Sequence, residues 1–188
     1  MSKRTLIGLI LVIAAQVLWV VATTVIKEDA HATGRRILLE TRPVDPRDLL
    51  RGDYLILNYN ISTIPRDMLR GAVPEIVLGK TIYVSLVPAG RFYRVEYASF
   101  QPIASPNANS AAVVVRGTVD ERFRWMRGNA DADSKAVPVM YGIERYYVPE
   151  GEGNPKGTLT VEASITGSGE ALIRELLVDG KPFAQRVR

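Results

Sequence analysis

Twenty-one consecutive residues, Leu6 to Ile26, carry no charged side chain. Gln16, Thr23 and Thr24 are the polar side chains within the run. With no polar face, it cannot lie on the surface of a globular domain as an amphipathic helix does. As a helix it extends roughly 32 Å, the thickness of a bilayer's hydrocarbon core. The run therefore predicts an N-terminal transmembrane helix, with Trp19 near one end, where an indole reaches the interface. A cleaved signal peptide is the alternative, because Ala30-His31-Ala32 fits an A-x-A site. Signal cores are about 7–15 residues, shorter than this run, which favours an uncleaved anchor. Lys3, Arg4 and the terminal amine precede the helix, whereas Lys27 is offset by Glu28 and Asp29. That asymmetry places the N-terminus inside and the rest outside. The expectation is a single-pass inner (cell) membrane protein with a periplasmic domain.

Residues 1–32 are thus read as anchor and linker, and 33–188 as a soluble domain. About 155 residues can hide roughly 70% of the surface of their unfolded chain, so the domain needs no staples. The chain contains no Cys, which removes disulfides, thiolate metal sites and a Cys nucleophile. Its single histidine, His31, lies in the linker, so neither a His-based zinc site nor a Ser-His-Asp triad is available to the domain. No cofactor and no metal are expected. From Thr33 onward, 21 Lys+Arg face 18 Asp+Glu, a net +3, with the signs interleaved. Nucleic-acid binding wants a clustered basic stripe, so none is expected. The lipid bilayer is the partner the anchor implies.

After residue 35 period-2 alternation dominates. Arg35 to Thr41 reads as a first strand. Asp45 to Leu50 reads as one helical turn, capped by Asp45, with Pro46 at its first position. Tyr54 to Ile61 is a strong strand. Asp53, Leu55, Leu57, Tyr59 and Ile61 share its core face; Tyr54, Ile56, Asn58 and Asn60 share the other. Pro65 to Arg70 reads as a short helix. Thr81 to Val87 and Phe92 to Phe100 form a hairpin around Pro88-Ala89-Gly90. Ala112 to Met126 is a long strand bent near Gly117, Gly128 to Lys135 an exposed loop, and Val139 to Val148 a further strand. Leu159, Val161, Ala163 and Ile165 alternate cleanly with polar residues. Gly167-Ser168-Gly169 then turns the chain into Ala171 to Val178, and Asp179-Gly180 makes a tight turn. The fold class expected is mainly β: an antiparallel sandwich or partly open barrel with one or two short helices, preceded by the transmembrane helix.

Gly52-Asp53-Tyr54-Leu55-Ile56-Leu57-Asn58-Tyr59 fits the string Gly-Asp-Tyr-x-x-Leu-x-Tyr at every fixed position. On it the chain resembles the bacterial GDYXXLXY protein family. Arg42 to Asp48 is similar to the family's lead-in, Tyr141 to Gly151 to its second signature, and Gly169 to Gly180 to its closing hairpin. The resemblance implies a bacterial membrane-anchored protein of about this length and implies no activity.

The candidate site residues are Gly52, Asp53, Tyr54, Leu57, Tyr59, Glu144 and Tyr146. Structurally, Gly52 can end the preceding turn with positive φ, and Asp53 can accept backbone N–H bonds there. Leu57 and Tyr59 pack inward, and a buried Tyr hydroxyl finds a partner. Tyr54 points away from Asp53. Functionally, Asp53, Tyr59 and a residue of the second signature could line a cleft. By alternation Glu144 and Tyr146 share a face with Val148, and Tyr141, Ile143, Arg145 and Tyr147 share the other. An inward Glu144 needs a partner, with Arg42, Arg47 and Arg51 the candidates, because a buried unpaired carboxylate is costly. Asp53 with Glu144 is the carboxylate pair to consider as catalytic general acid and base. Asp45, Asp48 and Asp53 match no known cation loop. The anchor, proline-bearing turn and Gly-Asp strand resemble signal peptidases at low resolution. Those enzymes need a Ser nucleophile before the turn and a Lys base, and here Thr41 and Lys80 stand instead. The chain is therefore expected to be a non-enzymatic envelope protein that binds a ligand or serves as accessory subunit to a multi-span membrane partner. The alternative is a hydrolase or lyase using Asp53 and Glu144.

Overall fold

A computed structural model describes residues 3–42, 54–74, 78–104, 106, 110–120, 136–148, 155 and 157–183. The chain divides into two compact units, Met1–Gly34 and Arg35–Arg188. The first holds α1, Lys3–Thr33. Every large apolar side chain of α1 from Leu6 to Val21 is exposed, Trp19 at 73% and Leu18 at 70%. Among the described residues no helix is long and apolar enough to cross a membrane.

The second unit is mainly β. Its strands among the described residues are β1 (Arg35–Glu40), β2 (Tyr54–Ile56), β3 (Thr63–Pro65), β4 (Thr81–Ala89), β5 (Phe92–Ser99) and β6 (Val113–Val119). Then follow β7 (Ala136–Met140), β8 (Arg145–Tyr147), β9 (Leu159–Ile165), β10 (Ala171–Val178) and β11 (Lys181–Pro182). They form a sheet of order β1-β9-β10-β11, a ribbon β2-β8, and a five-stranded sheet β3-β7-β6-β4-β5. Every ladder between these strands is antiparallel. The short helices are single 3-10 turns at Asn60–Ser62 and Arg66–Met68.

The five-stranded sheet nearly closes on itself. β3 pairs with β7 at one edge. Four residues past β3 in the same segment, Leu69 bridges Ala98 of β5 at the other edge, and Arg70 N donates to Ala98 O at 2.8 Å. The result is barrel-like, the second of the two architectures left open by the alternation. Closure hides the row of unpaired amides that an edge strand would expose. The interior is one apolar cluster drawn from all three sheets, including Leu39, Leu55, Tyr59, Ile64, Val84 and Val161. β9 is central in its sheet and buried on both faces, so Thr160 and Ser164 are enclosed along with Val161 and Ala163.

Alternation placed most faces. Leu55, Leu57, Tyr59 and Ile61 are buried, while Asn58 and Asn60 are exposed. Four expectations are corrected. The 54–61 strand narrows to β2, and its remainder is extended chain carrying one bridge, Tyr59 to Thr41. The hairpin turn falls at Gly90-Arg91, with Gly90 at φ +67°, and Pro88 and Ala89 stay within β4. β6 runs through Gly117 in unbroken register with β4. Gly117 serves a close approach instead: a Cβ there would stand 2.4 Å from Val139 Cγ1 and 2.8 Å from Met140 O. Finally, the 139–148 strand is two strands in different sheets, β7 and β8, parted at Tyr141 to Glu144. The Asp45 turn, Gly52, Asp53, the Gly128 to Lys135 loop and the far end of the 112–126 strand lie outside the described residues.

Candidate functional site

The two signature segments meet edge to edge. Tyr54, Leu55 and Ile56 of β2 pair with Tyr147, Tyr146 and Arg145 of β8. Leu57 N extends the ladder to Glu144 O at 2.8 Å. Beyond that point two tyrosines lock the segments reciprocally. Tyr59 Oη donates to Ile143 O at 2.6 Å, and Tyr141 Oη donates to Ile61 O at 2.7 Å. Both rings are buried, so each hydroxyl satisfies itself and a buried carbonyl in one bond.

Glu144 holds the bend between β7 and β8, both of which run antiparallel to the 54–65 segment in one register. Its carboxylate accepts the N–H of Tyr141 through Oε1 and that of Gly142 through Oε2, the latter at 3.0 Å. Gly142 has φ +83°, a conformation that suits glycine. Burial pushes both Tyr59 and Tyr141 hydroxyls far above their ordinary range, and the nearby Glu144 charge adds to the push. Both phenols are therefore neutral donors at any physiological pH, fixed as hydrogen-bonding posts rather than bases.

The expected partner of Glu144 was an arginine, and the observed partners are backbone amides. Arg42 instead donates through Nε to Asn60 Oδ1 at 3.2 Å, and Arg47 and Arg51 lie outside the described residues. The bend also shifts the alternation, so Tyr141 and Ile143 are buried although Arg145 and Tyr147 are exposed. Strict alternation hides Tyr141 as a site residue. The usable signal is Gly142, which interrupts an otherwise period-2 run.

Tyr54 does lie on the outer face. Its ring is 6.0 Å from that of Tyr147, and the Arg145 guanidinium carbon is 5.5 Å from its centroid. Tyr146 packs inward and meets Phe183 edge-on at 6.5 Å. Leu57 is core. The structure thus brings Tyr59, Leu57, Glu144 and Tyr146 to one seam, with Tyr54 on its outside. Among the described residues no cluster of three or more His, Asp or Glu side chains could hold a metal ion. A surface cleft of about 680 Å³ is lined by Tyr141 and Gly142 together with Arg116, Thr118 and Glu170; Tyr59 and Glu144 do not line it.

The fold and seam define a class: a barrel-like β unit tied shut between two signature segments. The family model described as GDYXXLXY protein matches residues 16–176, and the chain belongs to that family. No curated protein and no solved structure matches it.

Proposed function

We propose that the chain is a membrane-anchored envelope protein in which α1 is the anchor and the β domain is a non-enzymatic binding or accessory subunit for a multi-span membrane partner. The observation that carries the reading is α1, whose large apolar side chains from Leu6 to Val21 are exposed on every side. Water is a poor surround for such a helix, and lipid is a good one. In sequence the uncharged run continues to Ile26, long enough to span. The helix backbone also runs unbroken through Ala30-His31-Ala32 to Thr33. An uncut anchor fits that better than a signal peptide, because a protease takes its substrate as an extended strand. The charge asymmetry around the run favours the periplasmic side for the domain.

The seam supports a structural role for the signature. Tyr59 is enclosed, and both oxygens of Glu144 are engaged by backbone amides. A general acid or base must instead reach a substrate proton.

The test is fractionation of the full chain after an alkaline carbonate wash. Ile10→Asp with Ile13→Asp is expected to move it from the membrane pellet to the supernatant. Each aspartate at a helix centre costs about 2.5–3.5 kcal/mol on insertion scales. A double variant that stays in the pellet would sink the anchor. A phosphatase fused at Arg188 is expected to be active, and an inactive fusion sinks the periplasmic orientation.

A further inference from the structure

The turn between β9 and β10 meets β6 through Gly169, which is buried, while Gly167 and Ser168 stay exposed. Arg116 N donates to Gly169 O at 2.7 Å. A Cβ on Gly169 would stand 3.2 Å from Arg116 N and from Val114 O, so the approach requires glycine. β7 pairs with β6 only at Thr118 and Val119, and the turn takes the edge that β7 leaves. Docked there, it walls a cleft of about 250 Å³ whose other sides include Arg35 and Tyr83.

Several donors of this cleft have no acceptor among the described residues. Arg35 Nη1 donates to the carbonyls of Ser110 and of Ala112, the second at 3.1 Å. Those bonds fix the guanidinium plane, and Nε and Nη2 have no acceptor among the described residues. In the turn, Thr166 Oγ1 accepts Glu170 N at 3.0 Å and shares a hydrogen with Ser168 Oγ at 2.8 Å. One hydroxyl proton of that pair is left to donate. The N–H groups of Gly167 and Ser168 likewise have no acceptor among the described residues. Among the described residues no Asp or Glu lines the cleft, and Ile103, Val114 and Ile165 supply apolar wall.

A pinned guanidinium edge suits bidentate recognition of an oxyanion. Backbone amides of a tight turn add donors that carry no desolvated charge of their own. The donors come from two elements, β1 and the β9–β10 turn, which asks for several oxygens on one centre rather than the two coplanar oxygens of a carboxylate. We propose that this cleft binds a phosphate group, borne on a small ester or on a lipid headgroup, with the apolar wall taking the first carbons of the stem.

The test uses the full chain in uncharged maltoside micelles, titrated calorimetrically with glycerol 3-phosphate and, separately, with short-chain phosphatidylglycerol. Saturable binding of the soluble ester assigns a free phosphate ester; saturation by the phospholipid alone assigns a headgroup. Either supports the site if Arg35→Gln weakens binding about tenfold or more and Ser168→Ala about threefold or more. Arg35→Gln also releases the Ser110–Ala112 carbonyls; Ser168→Ala, in an exposed turn, keeps the test decisive if the first variant folds poorly. Failure of both probes to saturate, or parental affinity in Ser168→Ala, overturns the proposal.

Discussion

At the scale of single residues, the seam depends on two phenols and one carboxylate. Tyr59 and Tyr141 each donate one hydrogen bond to a buried carbonyl of the other segment. Tyr59→Phe keeps the ring and strands the Ile143 carbonyl, a cost of about 1–3 kcal/mol. For a domain of this size that lowers Tm by roughly 2–4 °C per kcal/mol. Thermal unfolding followed by circular dichroism checks it, and an unchanged Tm would mean that the hydroxyl holds nothing. Tyr54 illustrates the opposite case within the same string. Its neighbour Leu55 is fully enclosed, yet Tyr54 lies outside against Tyr147, as its odd place in the alternation predicts.

Elements show where a sequence is readable and where it is not. β9 was legible because its apolar residues alternate with polar ones, and β1, β4, β5 and β10 because turn residues bound them. The 139–148 stretch was not, because two ingredients act together there. Gly142 supplies a positive φ, and the Glu144 side chain takes up two amides that a continuing strand would have paired. A side chain that replaces a ladder bond leaves no trace in hydrophobic period. Of the candidate residues, Tyr59, Leu57, Glu144 and Tyr146 meet at the seam and Gly52 and Asp53 lie outside the described residues; roles were illegible, since burial alone cannot say whether a carboxylate pairs with arginine or with backbone. Gly117 makes the same point: it was read as a bend and is a contact. Gly117→Ala puts a Cβ 2.4 Å from Val139 Cγ1 and is expected to cost about 1–3 kcal/mol as overpacking between β6 and β7. A urea midpoint equal to that of the parent would refute the close approach.

For the whole domain, the buried phenols make stability depend on alkaline pH. Each hydroxyl titrates higher when folded than its unfolded value of about 10. The folded state therefore holds protons that the unfolded state has lost, and the contribution, complete below about pH 10, falls as pH rises beyond it. Melting temperature should drop steadily above about pH 10, with two tyrosines ionising only as the barrel opens; early ionisation of all of them in a folded domain would contradict the seam. The seam also sets a timetable. Tyr59 and its acceptor are 84 positions apart in the chain. At about 5–20 residues per second of synthesis, the first signature waits on the order of 4–17 s for the second to be made. During that interval the β2 edge that β8 covers has no strand to pair with, and pairing so distant in sequence is slow even once both halves exist. A nascent chain of this kind carries an unpaired β2 edge, so its yield in the cell depends on what shields residues 54–61 before residue 143 emerges.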